Sequence, residues 1–392
     1  MAIPISYNLR NLSVRSASTA MMIGGVAMVV ATFVMVLALA DGFRRAYART
    51  GSDRNAIVLR FGSTSELNSG LSRDQVRLVA ARATGLAELA GDGSPLVSPE
   101  MLVVINHPRR DDPDQSSNLA VRGVSPLANQ VRANLEIVEG RWLAPGKGEL
   151  VIGKAAAARF ANTRLGDTIE FAKRTWTVAG IFAAGGGAFE SEIFGDAEEM
   201  LNAFGRTGFQ TVTVRLQHRD DFESFKSEIA KETNLQVDVY REQEYYVQQS
   251  RALRNFILVV GVVVCSIMSV GAIAGALNTM NGAVLSRRRE IGTLRALGFS
   301  RVAVLVSFLF EVLVLAAVGG VIGCTLALSV DGLQTGTMNW ESFSDVSFSF
   351  HVDWVRHFGA GIAFALVMGA LGGFFPALRA ASANISRSLR QY

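Results

Sequence analysis

A chain of 392 residues is long enough for two or three domains. With 49% apolar and only 18% charged residues, it is too hydrophobic for a disordered chain or an ordinary cytosolic enzyme. A net charge of +4 would suggest nucleic acid only if the cations gathered on one face, and their positions, given below, argue against it. The two cysteines, Cys265 and Cys324, both lie in apolar runs, which excludes a disulfide framework and suits small buried hydrophobes.

In chain order, residues 1–16 are a short lead containing Arg10 and Arg15, and residues 17–40 are uncharged. Crossing a bilayer takes about 20 apolar residues at 1.5 Å each. The flanking arginines and Ala38-Leu39-Ala40 imitate a cleaved secretory signal, but the run exceeds the roughly 7–15 residues of a signal core, so a retained first span is expected. Residues 41–254 hold no stretch of spanning length. Three further spans follow at 255–286, 302–330 (broken only by Glu311) and 358–378, separated by 287–301 and 331–357 and ending in a tail at 379–392.

Short-loop Lys and Arg set the orientation. Arg10 and Arg15, then Arg287, Arg288, Arg289, Arg295 and Arg301, then Arg379, Arg387 and Arg390 lie on one side; Asp331, Glu341, Asp345 and Asp353 outnumber Arg356 on the other. Both termini and the 287–301 loop are therefore expected in the cytoplasm, and 41–254 outside it. The outer segment has almost equal numbers of basic and acidic residues, so the excess of cations marks membrane orientation and not nucleic-acid binding.

Within 41–254, Asn55–Phe61 is strand-like, Ser72 is placed to cap a helix reaching about Ala83, and Ser98–Asn106 contains a strand. Thr211–Leu216, Asp220–Glu232 and Leu235–Tyr240 repeat the strand-helix-strand pattern. Two such halves predict a split, ferredoxin-like α+β unit. The pieces Leu119–Val124, Glu149–Ile152, Thr168–Phe171 and Thr175–Phe182 predict a β-rich inserted subdomain, and the polar run His107–Asn118 an exposed hairpin loop. From Glu242 to Ser286 there is no proline, and no glycine before Gly261, so one helix can begin outside the membrane and continue through span two, as a motion-transmitting stalk or a plain linker.

The stretch Ser286-Arg-Arg-Arg-Glu-Ile-Gly-Thr-Leu-Arg-Ala-Leu-Gly-Phe-Ser-Arg301 places Ile291, Leu294 and Leu297 three apart, as on one face of a short helix that could dock a cytosolic partner or the membrane surface. Arg289-Glu-Ile-Gly-Thr-Leu-Arg-Ala-Leu-Gly298 resembles the cytoplasmic signature of the MacB/FtsX-like permeases of ABC transporters. The resemblance extends to Tyr7-Asn-Leu-Arg-Asn-Leu12, Glu139-Gly-Arg-Trp142, Gly166-Asp-Thr168, Trp176-Thr-Val-Ala-Gly180 and Phe375-Pro-Ala-Leu-Arg-Ala-Ala381. It implies an integral membrane α-helical protein with four transmembrane helices and a large extracytoplasmic α+β domain, in a bacterial inner membrane. It further implies a homodimer, or a heterodimer with a similar chain, on two copies of a cytosolic ABC ATPase, with a possible extracytoplasmic adaptor. The loop would be the coupling helix, with Arg288, Arg289, Glu290, Ile291, Leu294, Arg295, Leu297 and Gly298 meeting the ATPase. ATP and Mg would be bound by that partner, with no cofactor in this chain.

Gly148-Glu-Leu-Val-Ile-Gly153-Lys154 has P-loop spacing, but Ala155 stands where Ser or Thr should ligate magnesium, and the segment reads as a strand. His107, His218, His351 and His357 lack metal-ligand spacing, and Glu190-Ser-Glu192 is a weak cation motif beside a glycine turn. Glu311, the one ionisable residue inside a span, is costly there and is expected to link span three to the coupling loop or to reach interfacial water. Gly271 and Gly275 permit close helix approach, between two copies or within one. Gly319, Gly320, Gly323, Gly369, Gly372 and Gly373 suit packing between spans three and four. The sequence thus points to a permease that moves or extracts a substrate. The alternatives are an FtsX-like regulator that activates a cell-wall hydrolase, and a receptor without an ATPase.

Overall fold

The computed structural model describes residues 16–232, 234–339 and 342–382. Arg10, Arg15, Arg387, Arg390, Glu341 and the motif Tyr7–Leu12 lie outside them. The chain divides into a membrane unit (Met1–Asp41, Asn255–Leu333, Phe350–Tyr392) and a core domain (Gly42–Arg254 with Gln334–Ser349).

Helix α1 (Ser16–Ala48) carries the first span. The core domain opens with β1 (Asn55–Arg60), α2 (Arg73–Ala83) and β2 (Val97–Pro108). Helix α2 starts where it should: Ser72 Oγ accepts from the Gln75 amide at 3.3 Å and Gln75 Oε1 accepts from the Ser72 amide at 2.9 Å, a reciprocal cap. There follow β3 (Ser116–Val124), α3 (Ala128–Val131), β4 (Glu136–Gly140), β5 (Glu149–Gly153), α4 (Lys154–Arg159), β6 (Thr168–Phe171), β7 (Arg174–Ala183), β8 (Glu192–Asp196) and α5 (Ala197–Ala203). The second half is β9 (Thr211–Arg215), α6 (Asp221–Ala230) and β10 (Val237–Arg241).

The order β10-β1-β9-β2, antiparallel throughout, is the split ferredoxin-like unit expected from the two strand-helix-strand halves. The insertion, however, is not a separate β layer. Strand β2 is twelve residues long: Val97–Glu100 pair with β9, while Met101–Pro108 pair with β3, so one sheet runs on as β3-β8-β5-β7-β4, with β6 on β7. Ladder pairing reaches Pro108 and Ser116, which shortens the expected polar loop. Ala56, Val58, Val76, Val79, Val212 and Phe225 belong to the core between sheet and helices, and Trp176 stacks on Phe171 at 5.1 Å.

Helix α7 (Glu242–Ser286) is continuous over 45 residues, as the absence of helix breakers predicts. The chain then forms α8 (Arg288–Ala296), α9 (Arg301–Ala327), an unanticipated hairpin β11 (Gln334–Met338) and β12 (Asp345–Ser349), and α10 (Trp354–Ser382). Among the described residues, four helices, α1, α7, α9 and α10, are long and apolar enough to cross a membrane. The hairpin belongs to the core domain: Asp345 pairs with Arg159 at 3.0 Å, Ser191 Oγ accepts from the Ser347 amide at 2.9 Å, and Phe348 packs edge-on to Phe43 at 5.3 Å.

Glycines set the helix approaches in the membrane unit, but not all where expected. A Cβ on Gly320 would stand 2.8 Å from Ala365, and one on Gly369 2.5 Å from Ala316, so these two, with Gly373 against Val312, do join α9 to α10. Gly319 and Gly323 instead lie against the α1 backbone, and Gly372 against Ala276 of α7. Two glycines three or four residues apart share a face, but the sequence does not say which neighbour that face meets.

Candidate coupling site

Helix α8 is short because its two ends are fixed. Gly298 adopts φ +94°, the left-handed geometry that glycine accepts without strain, and the Gly298 and Phe299 amides donate to the Arg295 and Leu294 carbonyls, each at 3.2 Å. Gly298, expected at the ATPase contact, thus also terminates the helix. Ser300 Oγ then accepts from the Ala303 amide at 3.1 Å and starts α9.

The eight expected coupling residues do not form one face. Three residues turn a helix through about 300°, so Leu297 lies about 120° around from Ile291. Ile291 is buried in an apolar cluster with Met280, Val284, Val304 and Phe308; Leu294 is half-buried; Leu297 is 70% exposed. Arg295 is half-buried and donates to the Ala381 carbonyl at 3.1 Å, tying α8 to the end of α10. Ile291 and Arg295, expected to meet a partner, therefore anchor the helix to its own chain. Arg288, Arg289, Glu290, Leu297 and Gly298 form the exposed remainder.

Glu311 on α9 accepts from Arg287 Nη1 at 2.9 Å, one residue before α8 begins, and both side chains are nearly buried. The Glu311 carboxylate thus finds its counter-ion at the root of α8. Gly271 and Gly275 meet nothing within 4 Å of a Cβ, so they lie apart from the helix contacts within the membrane unit. They line an open groove of about 450 Å³ with Met21, Gly25, Met28 and Ala272.

The sequence reading missed an ionic cluster in the core domain. Arg122 on β3 and Arg132 after α3 are fully buried, and they face Glu66, Glu100, Glu192 and Glu242, with Tyr246 donating to Glu66 at 2.9 Å. Burial works against both guanidinium charges, yet Glu192 and Glu66 around Arg122, and Glu100 and Glu242 around Arg132, hold both above the ordinary arginine value. Burial likewise works against an ionised Glu100, but Arg132 and Arg122 outweigh it and hold that carboxyl below the usual range. Phe189 lies under both cations, at 5.2 Å and 4.7 Å. The available signal was a charged residue inside an apolar strand, as in Leu119-Ala-Val-Arg-Gly-Val124.

Two weaker motifs dissolve. Gly148–Lys154 is strand β5 leading directly into α4, and Gly153 lies against the Glu190 backbone, leaving no loop of amides to hold phosphate. Glu190 accepts from the Ala184 and Gly186 amides, while Glu192 faces Arg122, so the two carboxylates serve different partners.

Comparison with known proteins agrees with this architecture. The description of the MacB-like periplasmic core domain matches residues 19–232, and that of the FtsX-like permease C-terminal matches residues 257–385. The chain belongs to the MacB/FtsX-type family of ABC transporter permeases, membrane proteins with a periplasmic core domain.

Among its relatives are an uncharacterized ABC transporter permease of Methanocaldococcus jannaschii, 26% identical over 65% of both chains, and the uncharacterized permease YknZ of Bacillus subtilis, 24% identical over 71% of both. The macrolide export ATP-binding/permease protein MacB of Bdellovibrio bacteriovorus is 23% identical over 93% of this chain and 58% of its own length. The chain thus spans about two-thirds of the first of these relatives and somewhat over half of the last. The solved extracellular domain of YknZ aligns over 47% of this chain and 99% of its own, at 14% identity and TM-score 0.37. The periplasmic region of MacB from Actinobacillus actinomycetemcomitans aligns over 50% and 93%, at 14% identity and TM-score 0.38.

Proposed function

We propose that this permease couples ATP hydrolysis on a separate cytosolic ATPase to movement of its periplasmic core domain, and so drives export or extraction of a substrate. The observation that carries this is the construction of α8. One side is fixed to the membrane helices through Ile291, Arg295 and the Arg287–Glu311 pair, and the other presents Arg288, Arg289, Glu290 and Leu297 to the surroundings. A helix held on one side and open on the other suits the transfer of a push. ATP and Mg would sit in the partner, whose counterpart in the MacB relative is named as part of one ATP-binding/permease protein. In this reading the membrane is the bacterial inner membrane, both termini and α8 are cytoplasmic, and helix α7 relays motion as a stalk. Two copies meet across the groove at Gly271 and Gly275, against lipid elsewhere, and an adaptor binds outside.

Purifying the tagged full chain from native membranes tests this. An ABC ATPase should co-purify with the parent chain, and its recovery should fall at least about tenfold with Leu297→Asp, since an exposed apolar anchor of an interface is worth about 1.4 kcal/mol or more. Recovery of an unaltered amount with Leu297→Asp would reject α8 as the docking element. An ATPase recovered together with a peptidoglycan hydrolase, and no exported compound, would favour the FtsX-like regulator. The dimer is checked separately: Gly271→Cys in a Cys265→Ala, Cys324→Ala background should cross-link two copies in membranes, and a wholly monomeric product would exclude that interface.

A further inference from the structure

The ionic cluster of the core domain is unbalanced. Two guanidinium cations face four carboxylates, all in the interior, where opposite charges must be matched closely to offset their lost hydration. The carboxylates are not equally provided for. Glu100 is held by both arginines. Glu66 receives two Arg122 nitrogens, at 2.9 Å and 2.8 Å, and the Tyr246 hydroxyl. Glu242 receives Arg132 Nε at 2.9 Å, the Ser52 amide at 3.0 Å and Asn55 Nδ2 at 2.8 Å. Among the described residues, Glu192 is bonded to Arg122 alone, at 2.7 Å and 3.1 Å, and shares that cation with Glu66 and Glu100. Its side chain is 14% exposed, against 4% or less for the other three, so it is also the one that solvent reaches.

We propose that Glu192 is a proton-binding site of the core domain, and that its occupancy sets how firmly the first turns of α7 are held through Arg122, Glu66 and Tyr246. One proton passes from solvent to a carboxylate oxygen of Glu192, and the buried excess of negative charge falls by one. Arg122 then serves Glu66 and Glu100 with less competition, and Glu66 keeps Tyr246 of α7. When the proton leaves, a further anion competes for the same guanidinium and repels Glu66. Glu66, Arg122 and Arg132 are the charged groups facing Glu192, with Glu100 and Tyr246 one bond further through Arg122 and Glu66. Burial, and secondarily Glu66, push the Glu192 carboxyl above the usual range, while Arg122 draws it back only in part. Tyr246 stays a neutral donor, because burial, with Glu66 and Glu242, holds its hydroxyl well above the ordinary value although Arg122 and Arg132 lower it.

The sign follows. A group whose pKa is raised on folding contributes its full stability below the unfolded value, and that contribution is lost as pH climbs through the raised folded value. Stability should therefore decline with rising pH in a window opening just above the ordinary carboxylate range of about 4–4.5. The test uses the full chain in lipid nanodiscs. Hydrogen exchange of residues 242–250, corrected for the intrinsic pH dependence of exchange, should be about tenfold slower at about pH 5 than at about pH 8. Infrared difference spectra between the two pH values should show a carboxylic acid contribution from Glu192 on top of that of the ordinary carboxyls. In Glu192→Gln, which has the shape of the protonated acid, that contribution should vanish and exchange should stay slow at both pH values. Exchange in the parent that is the same at both pH values, or a carboxylic acid band of undiminished intensity in Glu192→Gln, would overturn the proposal. Should Glu192→Gln fail to fold, Glu192→Met, neutral and of similar length, takes its place with the same expected and overturning results.

Discussion

Arg132→Ala should lower the stability of the core domain by about 3–5 kcal/mol, the cost of removing one partner from a buried charge pair. Arg132 is fully buried, bonded to both oxygens of Glu100, to Glu242 at 2.9 Å and to Thr213 Oγ1 at 3.2 Å. Its loss leaves Glu242 without a cation and Glu100 with Arg122 alone, in an interior that cannot hydrate them, and removes the stronger of two cation–π contacts on Phe189. Arg132→Lys keeps the charge but not the planar fork, so it should recover only part of the loss. Calorimetry on the full chain should find the core-domain transition lowered by on the order of 10 °C in Arg132→Ala. A shift within about 2 °C would show that the cluster contributes little beyond an apolar filler of equal size.

Gly323→Leu should separate helices α1 and α9. A Cβ at position 323 would stand 2.5 Å from the Ala27 carbonyl oxygen, 2.9 Å from Val30 Cβ and 3.1 Å from the Ala31 amide, and two of these three are backbone atoms that no rotamer change can move. Overpacking in an interior costs about 1–3 kcal/mol per site, and a full leucine against backbone belongs at or beyond the top of that range. Gly359→Leu on α10 is the control, because nothing lies within 4 Å of a Cβ there. In detergent, Gly323→Leu should lower the unfolding temperature of the membrane unit and expose Cys324, buried one residue away, to a maleimide reagent. Gly359→Leu should do neither. Equal behaviour of the two variants would contradict the observed glycine contacts.

These tests sit where sequence and structure part. The four spans are legible because uncharged runs of membrane length have no other stable setting. The ferredoxin-like halves are legible because strand and helix periodicities alternate and Ser72 signals a helix start. The strands β4 and β8 and the β11–β12 hairpin gave little signal. Strand β4 is exposed at every position, at the sheet's edge, so it lacks the buried-exposed alternation that marks a strand. Strand β8 includes Gly195 and Asp196 and follows a glycine-rich turn.

At the candidate site, the apolar spacing of Ile291, Leu294 and Leu297 pointed to a short helix, and the structure added its termination at Gly298. It did not establish which side faces the chain, because spacing fixes angles around a helix axis and not the neighbour that each angle meets. The sequence by itself determined the membrane class, the number of spans, the two halves of the core domain and the family signature, all properties carried by local pattern. Only the tertiary structure decided that Glu311 is matched by Arg287, that Gly319 and Gly323 serve α1, and that Arg122, Arg132 and four glutamates meet in one interior. Those pairings join residues from 22 to more than 290 positions apart, as with Arg122 and Glu100 or Gly323 and Ala27. Their energies arise from burial and mutual distance, which exist only once the chain has closed on itself.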